Sequence, residues 1–154
     1  MSLVRASGMR LEVVELPQGW KVLNDAYNAS PTSMIATLRT FAEMADPAGK
    51  IAVLGDMLEL GAYEQEGHRH VGRIAAQIGL KALITVGELG RTLASAAGEA
   101  GFAKERLFSC RNAQEAAATV RLQASRGDWI LLKGSRGMRM EQVLNELRRE
   151  ERAK

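Results

Sequence analysis

What most restricts the fold of this chain is an alternation. Short apolar runs at 51–54, 82–86 and 128–133 are each followed by a glycine or polar break and then by a stretch with helical spacing. A continuous apolar run of this length, bounded by turn residues, reads as a strand buried on both faces, as strands of parallel sheets are. A fourth strand is expected over 106–109, and helices over 31–44, 65–78, 90–100, 113–125 and from about 140 onward. Connections this short between strands and helices imply right-handed crossovers and a sheet covered on both sides. Ahead of this pattern, residues 11–15 alternate apolar and charged, Pro17-Gln18-Gly19 supplies turn chemistry, and 20–23 returns as a second strand. The expected fold is therefore α/β and Rossmann-like: a mostly parallel sheet with helices on both faces and an antiparallel N-terminal hairpin. One domain is expected over 10–148, with 1–9 a cloning remnant or linker and 149–154 a charged tail; 154 residues suit one core better than two.

Several function classes are disfavoured by what the chain lacks. Acids and bases are interspersed, the formal net charge is only +3, and no basic stripe or aromatic-rich run marks a nucleic-acid face. No apolar run reaches transmembrane length and no secretory signal pattern is visible, so a cytoplasmic protein without membrane insertion is expected. The single cysteine, Cys110, excludes an internal disulfide and reads as an inert structural thiol. His68 and His70 stand two apart, which on a helix separates their faces, so solvated or capping histidines are expected and no metal site. The methionines, among them Met34, Met44 and Met140, suit core filling.

Polar residues concentrate instead at three strand ends. The first cluster is Asn24-Asp25-Ala26-Tyr27-Asn28-Ala29-Ser30, where Ser30 takes the N-cap and Pro31 the first position of the following helix. The second is Gly55-Asp56-Met57-Leu58-Glu59-Leu60-Gly61, with His68 beyond it. The third, Lys133-Gly134-Ser135-Arg136-Gly137, places cations and a hydroxyl beside flexible glycines, a composition suited to a carboxylate or phosphate. It equally reads as a basic turn before an exposed helix. Asp56 and Glu59 could orient an ammonium group or a metal-bound water, or complement a helix dipole. In a parallel sheet all three ends share one edge and converge on one crevice. No G-x-x-x-x-G-K-[ST] spacing occurs, so the chain carries no P-loop.

Taken together, Asn24 to Met34, Val53-Leu54-Gly55-Asp56-Met57-Leu58-Glu59-Leu60-Gly61, Gly67-His68 with Val71-Gly72, and Leu132-Lys133-Gly134-Ser135-Arg136-Gly137-Met138-Arg139-Met140-Glu141 resemble the C-terminal domain of the Mur ligase family. Within it they are most similar to the branch that adds D-alanyl-D-alanine to UDP-N-acetylmuramoyl-tripeptide in peptidoglycan synthesis. The resemblance covers nearly the whole chain. It implies two further domains: an N-terminal one for the UDP-sugar substrate, and a central one with the P-loop, the Mg2+ ligands and most of the ATP site. The implied chemistry is phosphorylation of the peptide's terminal carboxylate by ATP, then attack by the dipeptide's amine on the acyl phosphate. An isolated C-terminal domain would be inactive and would hold no catalytic residue of its own.

By the same resemblance, Arg10 matches a linker arginine near the ATP phosphates, and Asp25 matches the acid that holds the ribose hydroxyls. Tyr27 and Asn28 lie where the family lines the nucleotide, Asn28 also facing the incoming amine. Asp56, Lys133, Ser135 and Arg136 lie near the dipeptide site, as does Ser30. Ser30 departs from the asparagine common in this branch, keeping a cap but losing an amide. Two other readings are a stand-alone Rossmann-like module for a nucleotide or small carboxylate, and the equivalent domain of a related ligase such as a folylpolyglutamate synthase. Lys133 to Met140 argues against the latter.

Overall fold

The computed structural model describes residues 2–6, 9–26, 29–44 and 48–152. Seven strands form one sheet in the order β1-β2-β3-β7-β4-β5-β6. They are β1 (Ser2–Ala6), β2 (Met9–Glu15), β3 (Lys21–Asp25), β4 (Lys50–Gly55), β5 (Ala82–Val86), β6 (Leu107–Cys110) and β7 (Trp129–Lys133). The first three run antiparallel to one another, and β3, β7, β4, β5 and β6 run parallel. Five helices connect or follow them: α1 (Pro31–Ala42), α2 (Glu64–Ala75), α3 (Glu88–Glu99), α4 (Ala113–Gln123) and α5 (Glu141–Arg152).

The topology sorts these helices by direction of travel across the sheet. Crossovers β3 to β4, β4 to β5 and β5 to β6 all move the same way, so right-handedness puts α1, α2 and α3 on one face. The crossover from β6 to β7 moves back, and α4 falls on the other face with α5. Core packing follows that division. Met34, Leu38, Phe41, Val71, Ala75 and Leu93 pack on Leu54, Leu83 and Leu131 on the first face. Ala116, Val120, Val143 and Leu147 pack on Val53, Ile84 and Leu132 on the second. Alternate residues of each central strand serve opposite faces, and nearly every one is fully buried, which is why the runs read as continuously apolar.

The expected alternation and the opening hairpin are both present, with element ends displaced by one to three residues. Two displacements matter. The second strand runs on to Asp25, because Asn24 and Asp25 pair in register with Leu132 and Lys133 of β7. The strand expected over 106–109 begins one residue later, since Lys104–Arg106 forms a 3-10 turn, and it takes in Cys110. In addition, Ser2–Ala6 pairs antiparallel with β2, so the sheet starts before Leu11.

Candidate functional site

Strands β3, β7 and β4 are neighbours and parallel, so the loops that follow them leave the same edge of the sheet. Asp25 and Lys133 stand opposite each other at the ends of β3 and β7, and Lys133 pairs in turn with Leu54 of β4. The three polar clusters therefore meet on one rim, with Asp25 and Ser135 on the same edge.

At the centre of the rim, Lys133 Nζ donates to Asp25 Oδ2 at 2.7 Å, both side chains being almost wholly buried. The hydroxyl of Thr37, buried in α1, reaches the same oxygen at 3.4 Å. Asp25 Oδ1 makes no bond among the described residues and keeps some exposure. A carboxylate with one oxygen neutralised and the other toward the rim can still accept hydrogen bonds from a ligand's donors. Thr37 was not visible as a site residue in the sequence, where it is one more residue of an amphipathic helix.

Ser135 ties the three loops together. Its N–H donates to the Asp56 carbonyl at 3.0 Å, and its Oγ accepts the Leu58 N–H at 2.7 Å. The same hydroxyl donates toward the Ala29 carbonyl at 3.4 Å. With donor and acceptor both engaged and the residue buried, Ser135 works as a tie between backbones. Gly134 permits the closeness: a Cβ there would lie 3.0 Å from Gly55 Cα and 2.7 Å from Met140 Cγ. Met140 and Met138 pack over this junction of β4 and β7, so the core closes the gap between the two strand ends.

Asp56 turns away from this centre. Its Oδ1 accepts the Gly90 N–H at 2.7 Å at the start of α3, a helix without a side-chain cap from its own N-cap residue. Burial raises its pKa above the ordinary carboxylate value, while the Gly90 and Leu89 N–H groups pull it back down. Asp56 thus complements a helix dipole, that of α3 rather than that of the helix following in sequence. Leu58 and Glu64 together with Glu88 and Arg91 line a crevice of about 620 Å3 beside it.

His68 overturns the expectation of a solvated or capping side chain. It is fully buried; Nδ1–H donates to the Glu64 carbonyl at 2.7 Å, and Nε2 accepts the Met57 N–H at 3.0 Å. These two bonds fix the tautomer. The loop after β4 folds back over α2, a tertiary event that residue spacing alone does not reveal.

The remaining predicted residues divide. Ser30 is a true cap: its Oγ accepts the Ser33 N–H at 3.2 Å, and Ser33 Oγ accepts the Ser30 N–H at 2.9 Å. Arg136 is exposed on the short 3-10 turn after Ser135. Arg10 lies in β2 opposite Arg5 of β1, and β2 is the antiparallel neighbour of β3, whose end carries Asp25. Its side chain, and all of Tyr27 and Asn28, lie outside the described residues. Met34 and Met140 are core residues, as expected, and Cys110 is buried with its thiol pKa raised by that burial. Among the described residues no group of three or more His, Cys, Asp or Glu side chains could hold a metal ion, and no helix is long and apolar enough to cross a membrane.

Fold and rim together define a Rossmann-like α/β domain whose working loops stand on the C-terminal edge of a parallel sheet. Residues 9–136 match the family described as Mur ligase, glutamate ligase domain, and the chain belongs to that family. A UDP-N-acetylmuramoyl-tripeptide–D-alanyl-D-alanine ligase from Bacillus subtilis (strain 168) is 37% identical over 147 residues, covering 96% of this chain and 32% of the relative. The ligase of the same name from Escherichia coli (strain K12) is 32% identical, covering 90% and 29%. Among solved structures, the MurF ligase from Thermotoga maritima in complex with ADP superposes with a TM-score of 0.75 at 25% identity, covering 92% of this chain and 31% of that one. A MurF structure from Acinetobacter baumannii gives 0.76 at 26% identity, covering 89% and 30%. The chain spans about a third of the length of the curated relatives it matches.

Proposed function

We propose that this chain is the closing, C-terminal domain of an ATP-dependent ligase that joins D-alanyl-D-alanine to UDP-N-acetylmuramoyl-tripeptide in the cytoplasm, as one step of peptidoglycan synthesis. Its partners in that role are an N-terminal domain for the UDP-sugar and a central domain for Mg2+ and most of the ATP. The observation that carries the reading is the meeting of Asp25, Lys133 and Ser135 on one edge, in a chain so similar to ligases of that name.

ATP, when bound, supplies the phosphoryl group that activates the peptide's carboxylate for attack by the amine. The residues of this chain have separate duties toward that event. Asp25 offers Oδ1 to the ribose hydroxyls, while Lys133 and Thr37 hold its other oxygen and set its orientation. By the family resemblance, Tyr27 and Asn28 are assigned to the nucleotide, Asn28 also to the incoming amine, and Arg10 to the phosphates. Arg136 is an exposed cation suited to the dipeptide's carboxylate, Ser30 shapes the loop opposite, and Asp56, Lys133 and Ser135 support that site from within. An activated acyl group hydrolyses in water, so a domain that swings over it both aligns the amine and excludes solvent.

The test is product formation. The longer ligase polypeptide should release ADP only when tripeptide and dipeptide substrates are both present, and its Asp25→Ala form should show a raised KM for ATP. These 154 residues alone should give no turnover; turnover by them would refute the reading, as would an Asp25→Ala ligase with unchanged ATP dependence.

A further inference from the structure

Three carboxylates stand in or beside the rim loops, and two are already committed. Asp25 gives one oxygen to Lys133 and Thr37, and Asp56 is turned inward onto the start of α3. Glu59 is exposed, and its carboxylate makes no bond among the described residues. Its backbone is unusual as well. At φ 63° it occupies the left-handed region, which disfavours any residue with a side chain. Such a conformation persists where its surroundings over-determine it.

The surroundings here do so. His68 Nε2 holds the Met57 N–H and Ser135 Oγ holds the Leu58 N–H, so two successive amides before Glu59 are tied by side chains from two separate elements. The Ser135 N–H holds the Asp56 carbonyl, and beyond Glu59 the Tyr63 N–H closes on the Leu60 carbonyl at 3.2 Å. Glycine at position 59 would adopt this backbone freely, yet the chain places an acid there. Nearby in sequence are Leu58 and Tyr63, two of the three large hydrophobic residues that are exposed among the described residues.

We propose that Glu59 receives the ammonium group of the incoming amino component, and that His68 and Ser135 are positioning residues that fix it there through the Asp56-Met57-Leu58 backbone. An unpaired acid beside partly exposed apolar side chains suits a small zwitterion with short apolar side chains, a description that D-alanyl-D-alanine meets. This assignment rests on the ligase reading given above.

Two measurements decide it. In steady-state kinetics of the longer ligase polypeptide, Glu59→Gln should raise the dipeptide KM at least tenfold and leave the KM for ATP within twofold. Glu59→Gly should do the same while raising the thermal midpoint, because the backbone strain is relieved. In amide exchange on the 154-residue chain, Ser135→Ala should strip protection from the Leu58 N–H, and Ser135→Thr, which keeps the hydroxyl, should restore it. A dipeptide KM unmoved by both Glu59 variants overturns the assignment of Glu59. A Leu58 amide as protected in Ser135→Ala as in the parent overturns the tie. If the unaltered polypeptide makes no product at all, the ligase reading fails and the amine assignment falls with it, while the exchange result still decides the tie on its own.

Discussion

Replacing Lys133 by methionine removes a charge and keeps most of the side chain's volume, so the consequence is electrostatic. In the folded chain the ammonium stands 2.7 Å from Asp25 Oδ2, with side-chain exposures of 4% and 12%. At an effective dielectric constant of about 20, two unit charges at that separation attract by roughly 6 kcal/mol. Desolvation offsets much of this, so the pair as a whole adds little net stability. Breaking it is another matter, because the surviving carboxylate stays mostly buried with its neutralising partner gone. Lys133→Met should therefore cost about 3–5 kcal/mol, a large share of the roughly 5–15 kcal/mol that holds a typical domain folded. The double variant Asp25→Asn/Lys133→Met removes both charges and should recover most of the loss. Equilibrium urea unfolding of the 154-residue chain reads this as a lower midpoint at unchanged slope for the single variant, and a midpoint near the parent's for the double. Added salt should do little to the parent, since a buried pair is poorly screened. A cost below about 1 kcal/mol for Lys133→Met would mean that solvent reaches the pair, and a double variant as unstable as the single would mean that the lysine matters for its packing. Either result refutes this account of the rim.

Three further outcomes follow from the packing and charge of the fold. A methyl group on Gly72 would lie 2.3 Å from the Leu93 carbonyl oxygen, whereas one on Gly98 meets only Leu107 Cδ2 at 3.4 Å. Thermal unfolding should show Gly72→Ala destabilised by about 1–3 kcal/mol from overpacking, and Gly98→Ala stabilised by up to about 1 kcal/mol through helix propensity. Because burial raises the pKa of Asp56, the native state binds that proton more tightly than the unfolded chain. Its contribution to stability therefore falls as pH climbs from about 3.9 toward the raised value and is level above it. Urea unfolding across that range should find Asp56→Asn gaining on the parent as pH rises; a relative loss would contradict the sign. Cys110 is buried with its thiol pKa raised, so iodoacetamide should label it slowly in the native chain and rapidly in urea.

How far the sequence disclosed all this depends on the distance over which each feature is decided. The cap on α1 is local: Ser30, Pro31 and Ser33 are enough to specify it, and the reciprocal bonds formed there need nothing from the rest of the chain. Buried strands such as 82–86 are equally plain, since a run apolar at every position has no other comfortable place than a covered sheet. The shared edge followed from topology alone. What stayed hidden was decided by groups far apart in the chain. Asp56 finds its partner at Gly90, and Ser135 finds its own at Leu58 and Ala29.

Each of those separations also changes what a polar residue can do. Read in isolation, the serine after Lys133-Gly134 is a hydroxyl available to a ligand, and His68 is a solvated ring. Once the loops close, both are spent on backbone groups, while Arg136 and Glu59 stay exposed beside them. A polar cluster at a strand end therefore marks the site without marking the ligands. Part of any such cluster must satisfy the amides and carbonyls that a tightly turned loop would otherwise bury unpaired. Ser135→Thr against Ser135→Ala separates the two uses at this position, because only a tie between backbones is indifferent to whether dipeptide is present. Leu58 amide protection that depends on added dipeptide would return Ser135 to the ligand side of that division.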